Sequence, residues 1–164
     1  LFSPAQIAKE VDEAAQKLAY DVITKLDMVG ILAVEMFLLK DGTLLINEIA
    51  PRPHNSGHHT IECNLTSQFE QHLRAILNMP LGATDIIAPG VMINLLGADG
   101  FEGEAYYEGI NEAMAEEGVN VHLYGKSVTK SFRKMGHITV SKPDLSSAKA
   151  TAKKLLKTVV VKTK

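Results

Sequence analysis

One cysteine, Cys63, stands among 164 residues. That excludes an internal disulfide and fits a reducing compartment, so the cytoplasm is the expected address. No apolar run reaches the length of a membrane span, and no stretch combines basic, apolar and small residues as a signal peptide does. Neither charge is in excess: 17 Lys and Arg against 19 Asp and Glu leave a formal charge of −2. That balance gives no reason to expect nucleic acid or an anionic membrane as a partner. Internal repeats and low-complexity segments are absent. So is an initiator methionine, since the chain opens Leu1-Phe2-Ser3-Pro4, and a piece of a longer protein is expected. What remains, 46% hydrophobic and 22% charged, is the composition of an ordinary globular chain. It suffices for one domain or one and a half small ones.

The patterning predicts an α+β chain. Ser3 caps a first helix, Pro4 suits its first position and Gln6 closes the capping box. Ile7, Val11, Ala14, Leu18, Val22 and Leu26 then recur every three or four residues, a stripe facing a core. Val29 to Leu39 and Leu44 to Ile49 are apolar runs on either side of Lys40-Asp41-Gly42-Thr43, a strong hairpin signal. Pro51 to His59 is too rich in Pro, Asn, Ser and Gly for helix or sheet. Ser67 and Glu70 make a second capping box, and that helix stops before Pro80 and Gly82. A boundary falls there, giving domains 1–82 and 83–164. The second half predicts strands at 91–96, 119–124 and 136–140, a helix near 111–117, and a final helix capped by Asp144 and running to about Thr158.

The hairpin makes a geometric claim. With Asp41 and Gly42 as a two-residue turn, Lys40 faces Thr43, and counting back along both strands brings Glu35 opposite Glu48. Facing residues have Cβ atoms roughly 4.5–5.5 Å apart, and like charges so placed destabilise a sheet. A shared proton, a lysine or a divalent cation between them would offset that. Water on a polar face is the plainer reading, but the expected neighbours on the same face, Ala33, Phe37 and Ile46, are apolar. The loop after Glu48, Pro51-Arg52-Pro53-His54-Asn55-Ser56-Gly57-His58-His59, offers polar groups at the mouth of any such site, with Arg52 a fork for phosphate or carboxylate. His54 and His58 have the four-residue spacing of a helical zinc pair, but Pro53 and Gly57 rule out that helix. Further on, Lys126 and Arg133 flank a loop with Lys130 and Lys134 nearby. By spacing alone this is a solvated basic loop.

Several segments together resemble one family. Val34-Glu35-Met36-Phe37 and Asn47-Glu48-Ile49-Ala50-Pro51-Arg52-Pro53-His54-Asn55-Ser56-Gly57-His58 look like the ATP-grasp core of the N(5)-carboxyaminoimidazole ribonucleotide synthetases, also known as the ATPase subunit of phosphoribosylaminoimidazole carboxylase. Ser67 to His72, Asn94 to Gly97, His122 to Lys126 and Arg133 to His137 continue the resemblance. It implies the C-terminal half of an ATP-grasp core, a helix plus antiparallel sheet, followed by a small β-rich domain with a terminal helix. It also implies ATP and magnesium, with manganese as an alternative, and 5-aminoimidazole ribonucleotide and bicarbonate as substrates. Glu35 and Glu48 match the metal ligands. Asn47, Glu48 and Phe37 match the nucleotide site, and Arg52, His54, Asn55 and Ser56 the substrate loop. Lys126 and Arg133 match catalytic basic residues that hold the ribonucleotide phosphate and bicarbonate. Ala50 stands where many ATP-grasp enzymes carry an asparagine ligand, and the purine branch has alanine there too. The family implies a homodimer, and the domains preceding this stretch as intramolecular partners without which the fragment is inactive. A formate-dependent transformylase, or a non-catalytic scaffold or oligomerisation module, is the competing expectation.

Overall fold

Apolar β-formers on both sides of Asp41-Gly42 give the hairpin, and its register is set by the turn they enclose. The computed structural model describes residues 1–164. In chain order it contains β1 (Phe2–Ser3), α1 (Lys9–Lys25), β2 (Ala33–Leu38) and β3 (Leu44–Ala50). A short 3-10 turn (Asn55–Gly57), α2 (Thr60–Cys63), α3 (Gln68–Ile76), β4 (Gly90–Leu96) and β5 (Gly103–Glu108) follow. The chain closes with α4 (Ile110–Ala115), β6 (Val119–Leu123), β7 (Val128–Thr129), β8 (Lys134–Ser141), α5 (Leu145–Thr158) and β9 (Val160–Thr163). No helix is long and apolar enough to cross a membrane.

The chain divides into two units. One, the hairpin unit, comprises residues 5–61 and 65–85; the other, the sheet unit, comprises 1–4, 62–64 and 86–164. In the hairpin unit β2 and β3 pair antiparallel. Ser67 caps α3 by accepting from the Glu70 backbone N–H at 3.2 Å. The α1 stripe finds only partial cover here: no residue of the helix is buried, and Leu26 is 52% exposed.

The expected start of α1 at Ser3 and Pro4 is corrected. Phe2 and Ser3 pair instead with Val91 and Gly90 of β4, and the Leu1 amino terminus donates to Met92 O at 3.0 Å. Residues committed to a strand cannot also supply a helix cap, so α1 begins at Lys9 with Ala8 as a cap that makes no side-chain bond.

The sheet unit holds a four-stranded sheet in the order β1-β4-β8-β6 and a three-stranded sheet in the order β7-β5-β9. Helix α5 covers the first. Its cap is Asp144, which accepts from the Ser147 backbone N–H at 2.9 Å. Ala148, Ala152 and Leu155 then fall on one helical face and pack with Ile93, Ile138 and Val140 in a single apolar core. Small residues on that face let the helix approach closely. The three-stranded sheet has no counterpart among the expected strands: β7 is two residues long, and β5 alternates half-buried with exposed positions.

Candidate functional site

Glu35 does oppose Glu48, but by a different route from the two-residue turn. The Leu39 N–H donates to Thr43 O and the Gly42 N–H to Leu39 O, leaving Lys40, Asp41 and Gly42 as a three-residue loop. Gly42 has φ +86, the left-handed residue that such loops require. Leu38 therefore pairs with Leu44, and Met36 with Ile46. Carried further, this register would put Glu35 opposite Asn47. A bulge at that point adds one residue to β3, and pairing resumes as Glu35 with Glu48, Val34 with Ile49 and Ala33 with Ala50. One consequence corrects the sequence reading. Ile46 pairs with Met36, so it does not share the face of Glu35 and Phe37, whose cross-strand neighbour is Leu45.

His54 stands beside the carboxylates. Its Nδ1 is 3.6 Å from Glu35 Oε1 and its Nε2 is 3.8 Å from Glu48 Oε1. One ligand atom from each of the three residues lies within 4.8 Å of the others. Both glutamate side chains stay open to solvent, at 42% and 58%, whereas His54 is 13% exposed. The imidazole also hydrogen-bonds Ser56 Oγ through Nδ1 at 2.7 Å.

The residue that holds this loop is Gln68. Its side-chain oxygen accepts from the His54 N–H at 2.8 Å, and its amide nitrogen donates to His54 O at 2.8 Å. The same nitrogen lies 2.8 Å from His58 Nδ1. Thr60 Oγ1 accepts the Gln68 backbone N–H and donates to Gly57 O. Gly57 makes room for the clamp, because a Cβ there would lie 2.4 Å from Gln68 Oε1. The sequence pattern marks position 68 only as the start of a helix and carries no sign of this role beyond a glutamine at the buried end of a capping-box helix. Arg52 is exposed, its Nη1 donating to Pro53 O at 3.1 Å. Phe37 is 55% exposed, Asn47 is exposed at the bulge, and Asn55 and Ser56 lie half-buried in the 3-10 turn.

Lys126 and Arg133 belong to the sheet unit, each half-buried. Lys126 Nζ donates to Lys134 O at 2.6 Å and lies 5.6 Å over the Tyr124 ring. Arg133 Nη1 donates to Val128 O at 2.8 Å. Their loop is tied down: Gly97 N–H donates to Arg133 O, Phe132 N–H to Gly97 O and Arg133 N–H to Lys130 O. Neither cation forms an ion pair with a carboxylate, unlike Lys154 and Lys162.

Residues 1–69 match the model of the ATP-grasp domain, and residues 90–151 that of the phosphoribosylaminoimidazole carboxylase C-terminal domain. The N5-carboxyaminoimidazole ribonucleotide synthase of Bacillus subtilis is 50% identical over 139 residues, 85% of this chain and 35% of that protein. The chain belongs to the N5-carboxyaminoimidazole ribonucleotide synthetase family. The crystal structure of the synthetase from Thermotoga maritima superposes with a TM-score of 0.96 at 48% identity, over 99% of this chain and 45% of that one. That of the Aspergillus clavatus synthase in complex with ADP and 5-aminoimidazole ribonucleotide gives 0.85 at 36%, over 95% and 42%. The chain thus spans between about a third and a half of the length of these synthetases. Its α+β architecture is theirs: ATP-grasp elements, then the C-terminal domain with its terminal helix.

Proposed function

We propose that this chain is part of an ATP-dependent ligase of purine biosynthesis that carboxylates 5-aminoimidazole ribonucleotide with bicarbonate. The observation that carries the reading is the Glu35–Glu48 pair with His54 set against both carboxylates. Two facing carboxylates with open sides fit a hard divalent cation, which takes oxygen ligands and leaves positions for substrate phosphates. Glu35 and Glu48 would hold magnesium, or manganese as an alternative. Such an ion, when bound, neutralises charge that develops on the transferred phosphoryl group.

In the proposed reaction bicarbonate oxygen attacks the γ-phosphorus of ATP, releasing ADP and forming carboxyphosphate. The amine of the ribonucleotide then bonds to the carboxyl carbon, phosphate departs and the nitrogen loses a proton. The chain's own residues do the binding. Phe37 offers an exposed apolar face to the adenine, and Asn47 at the bulge approaches the nucleotide. Arg52, His54, Asn55 and Ser56 contact the ribonucleotide, with Gln68 keeping the His54 backbone in place. Lys126 and Arg133, cations without carboxylate partners, are suited to the ribonucleotide phosphate and to bicarbonate. A cytoplasmic address and a homodimer belong to the same proposal. Sedimentation of the full-length protein tests the dimer.

Steady-state kinetics on the full-length protein test the rest. Arg133→Ala should raise KM for the ribonucleotide far more than KM for ATP, by a factor corresponding to about 2 kcal/mol or more if the contact is desolvated. Glu48→Gln should lower kcat, because the charge it serves appears only during transfer. Should Arg133→Ala change the ATP dependence alone, the substrate assignment is wrong.

A further inference from the structure

A chain of polar side chains in the sheet unit leads from a largely enclosed carboxylate to Lys126. Glu62, in the short α2 segment, has a side chain only 12% exposed, and its Oε1 lies 2.6 Å from His122 Nε2. His122 on β6 is the cross-strand partner of His137 on β8. Their rings stack with centroids 4.4 Å apart and planes 12° from parallel. His137 is 3% exposed, and its Nδ1 is hydrogen-bonded to the Tyr124 hydroxyl at 3.0 Å. Tyr124 lies two residues beyond His122, which places it on the same face by strand alternation. Its ring carries the Lys126 ammonium at 5.6 Å, within the range at which an aromatic face attracts a cation.

We propose that Glu62, His122, His137 and Tyr124 form a positioning array that holds the Lys126 ammonium for the anionic substrate. The inference rests on the reading of Lys126 as a substrate-binding residue. A lysine side chain has four rotatable bonds, and holding it in one place costs conformational entropy. The array meets that cost before substrate arrives. The Glu62 carboxylate accepts from the His122 N–H and so fixes the imidazole. The stacked pair fixes His137, and a phenol bonded to a buried imidazole cannot rotate its ring away from Lys126. Lys134 O fixes the ammonium from a second direction. None of the four residues needs to touch substrate, so each is a positioning residue. A buried His137, with a half-buried His122 and a largely enclosed Glu62 carboxylate beside it, is costly to retain for packing alone, and a role through Lys126 accounts for them.

The test is a double-mutant cycle in the full-length protein, read as KM for the ribonucleotide with KM for ATP as control. Tyr124→Phe removes the hydroxyl and leaves the ring. It should raise the ribonucleotide KM about fivefold, the worth of one hydrogen bond, and leave that for ATP unchanged. In a Lys126→Ala background the same substitution should change it less than about twofold, because coupled residues are non-additive. Equal factors in both backgrounds would show that Tyr124 acts on something other than Lys126, and no effect in either would also overturn the array. If Lys126→Ala itself leaves the ribonucleotide KM unchanged, the substrate reading of Lys126 falls, and the array with it. Should Tyr124→Phe fail to fold, Glu62→Gln at the far end of the array serves in the same cycle, with the same outcomes.

Discussion

Replacing Gly57 with alanine should damage the carboxylate site without touching it. The Gly57 φ lies outside the left-handed region, so alanine adds no backbone strain and the cost is steric. The new methyl would sit 2.4 Å from Gln68 Oε1, 2.7 Å from its Cδ and 3.1 Å from its Nε2. A free glutamine would swing away at little cost. Gln68 is not free: it is 7% exposed, and its amide is bonded to His54 N, His54 O and His58 Nδ1. Moving it breaks all three where water cannot replace them. At about 0.5–1.5 kcal/mol for each bond, the loss is roughly 2–4 kcal/mol. Urea unfolding measures it, with the midpoint falling at an unchanged slope. The control is Gln68→Ala, which removes the colliding atoms. In that background Gly57→Ala should cost less than about 0.5 kcal/mol, since the two act as one unit. A loss that small in the unmutated background, or the full loss in both, would refute the clamp.

Two other outcomes follow from exposure and charge. The two glutamates lie 42% and 58% open to solvent, so magnesium ADP should bind this chain more weakly than micromolar, because water competes for charges that are not enclosed; calorimetry giving micromolar affinity would show that the binding energy resides in these residues alone. Asp144 titrates at about 2, held below its ordinary 3.8 chiefly by the Ser146 hydroxyl, then by the Ser147 hydroxyl and backbone N–H. A depressed carboxylate stabilises the fold above its unfolded value and ceases to do so as pH falls through the folded one. The contribution of the α5 cap should therefore fade between about pH 4 and pH 2, and Asp144→Ala should flatten that part of the stability profile followed by circular dichroism.

Local signals were legible and distant ones were not. Helices α3 and α5 declare themselves because Ser67 and Asp144 bond to backbone groups three residues on. The start of α1 lies beyond local signals, because pairing of Phe2 with Val91, 89 positions away, outweighs a local cap. Strands β7 and β9 have two and four residues, too few for a period to register. The Gln68 clamp reaches back 14 positions to His54, and no periodicity connects the two. The Glu35–Glu48 pair emerged from a turn type that the chain does not use.

That coincidence bears on how the hairpin tolerates change. The three-residue loop and the extra residue at Asn47 offset one another, so two arrangements of the same strands leave the carboxylates facing: a longer loop with the bulge, or a two-residue loop without it. A loop edit that slides the tip by one position can be absorbed at Asn47 before it reaches Glu48. The facing carboxylates are thereby insulated from drift in the turn. What such an edit would alter is the side of the sheet on which Leu44, Leu45 and Ile46 stand, and so the apolar surface beside the carboxylates rather than the carboxylates themselves.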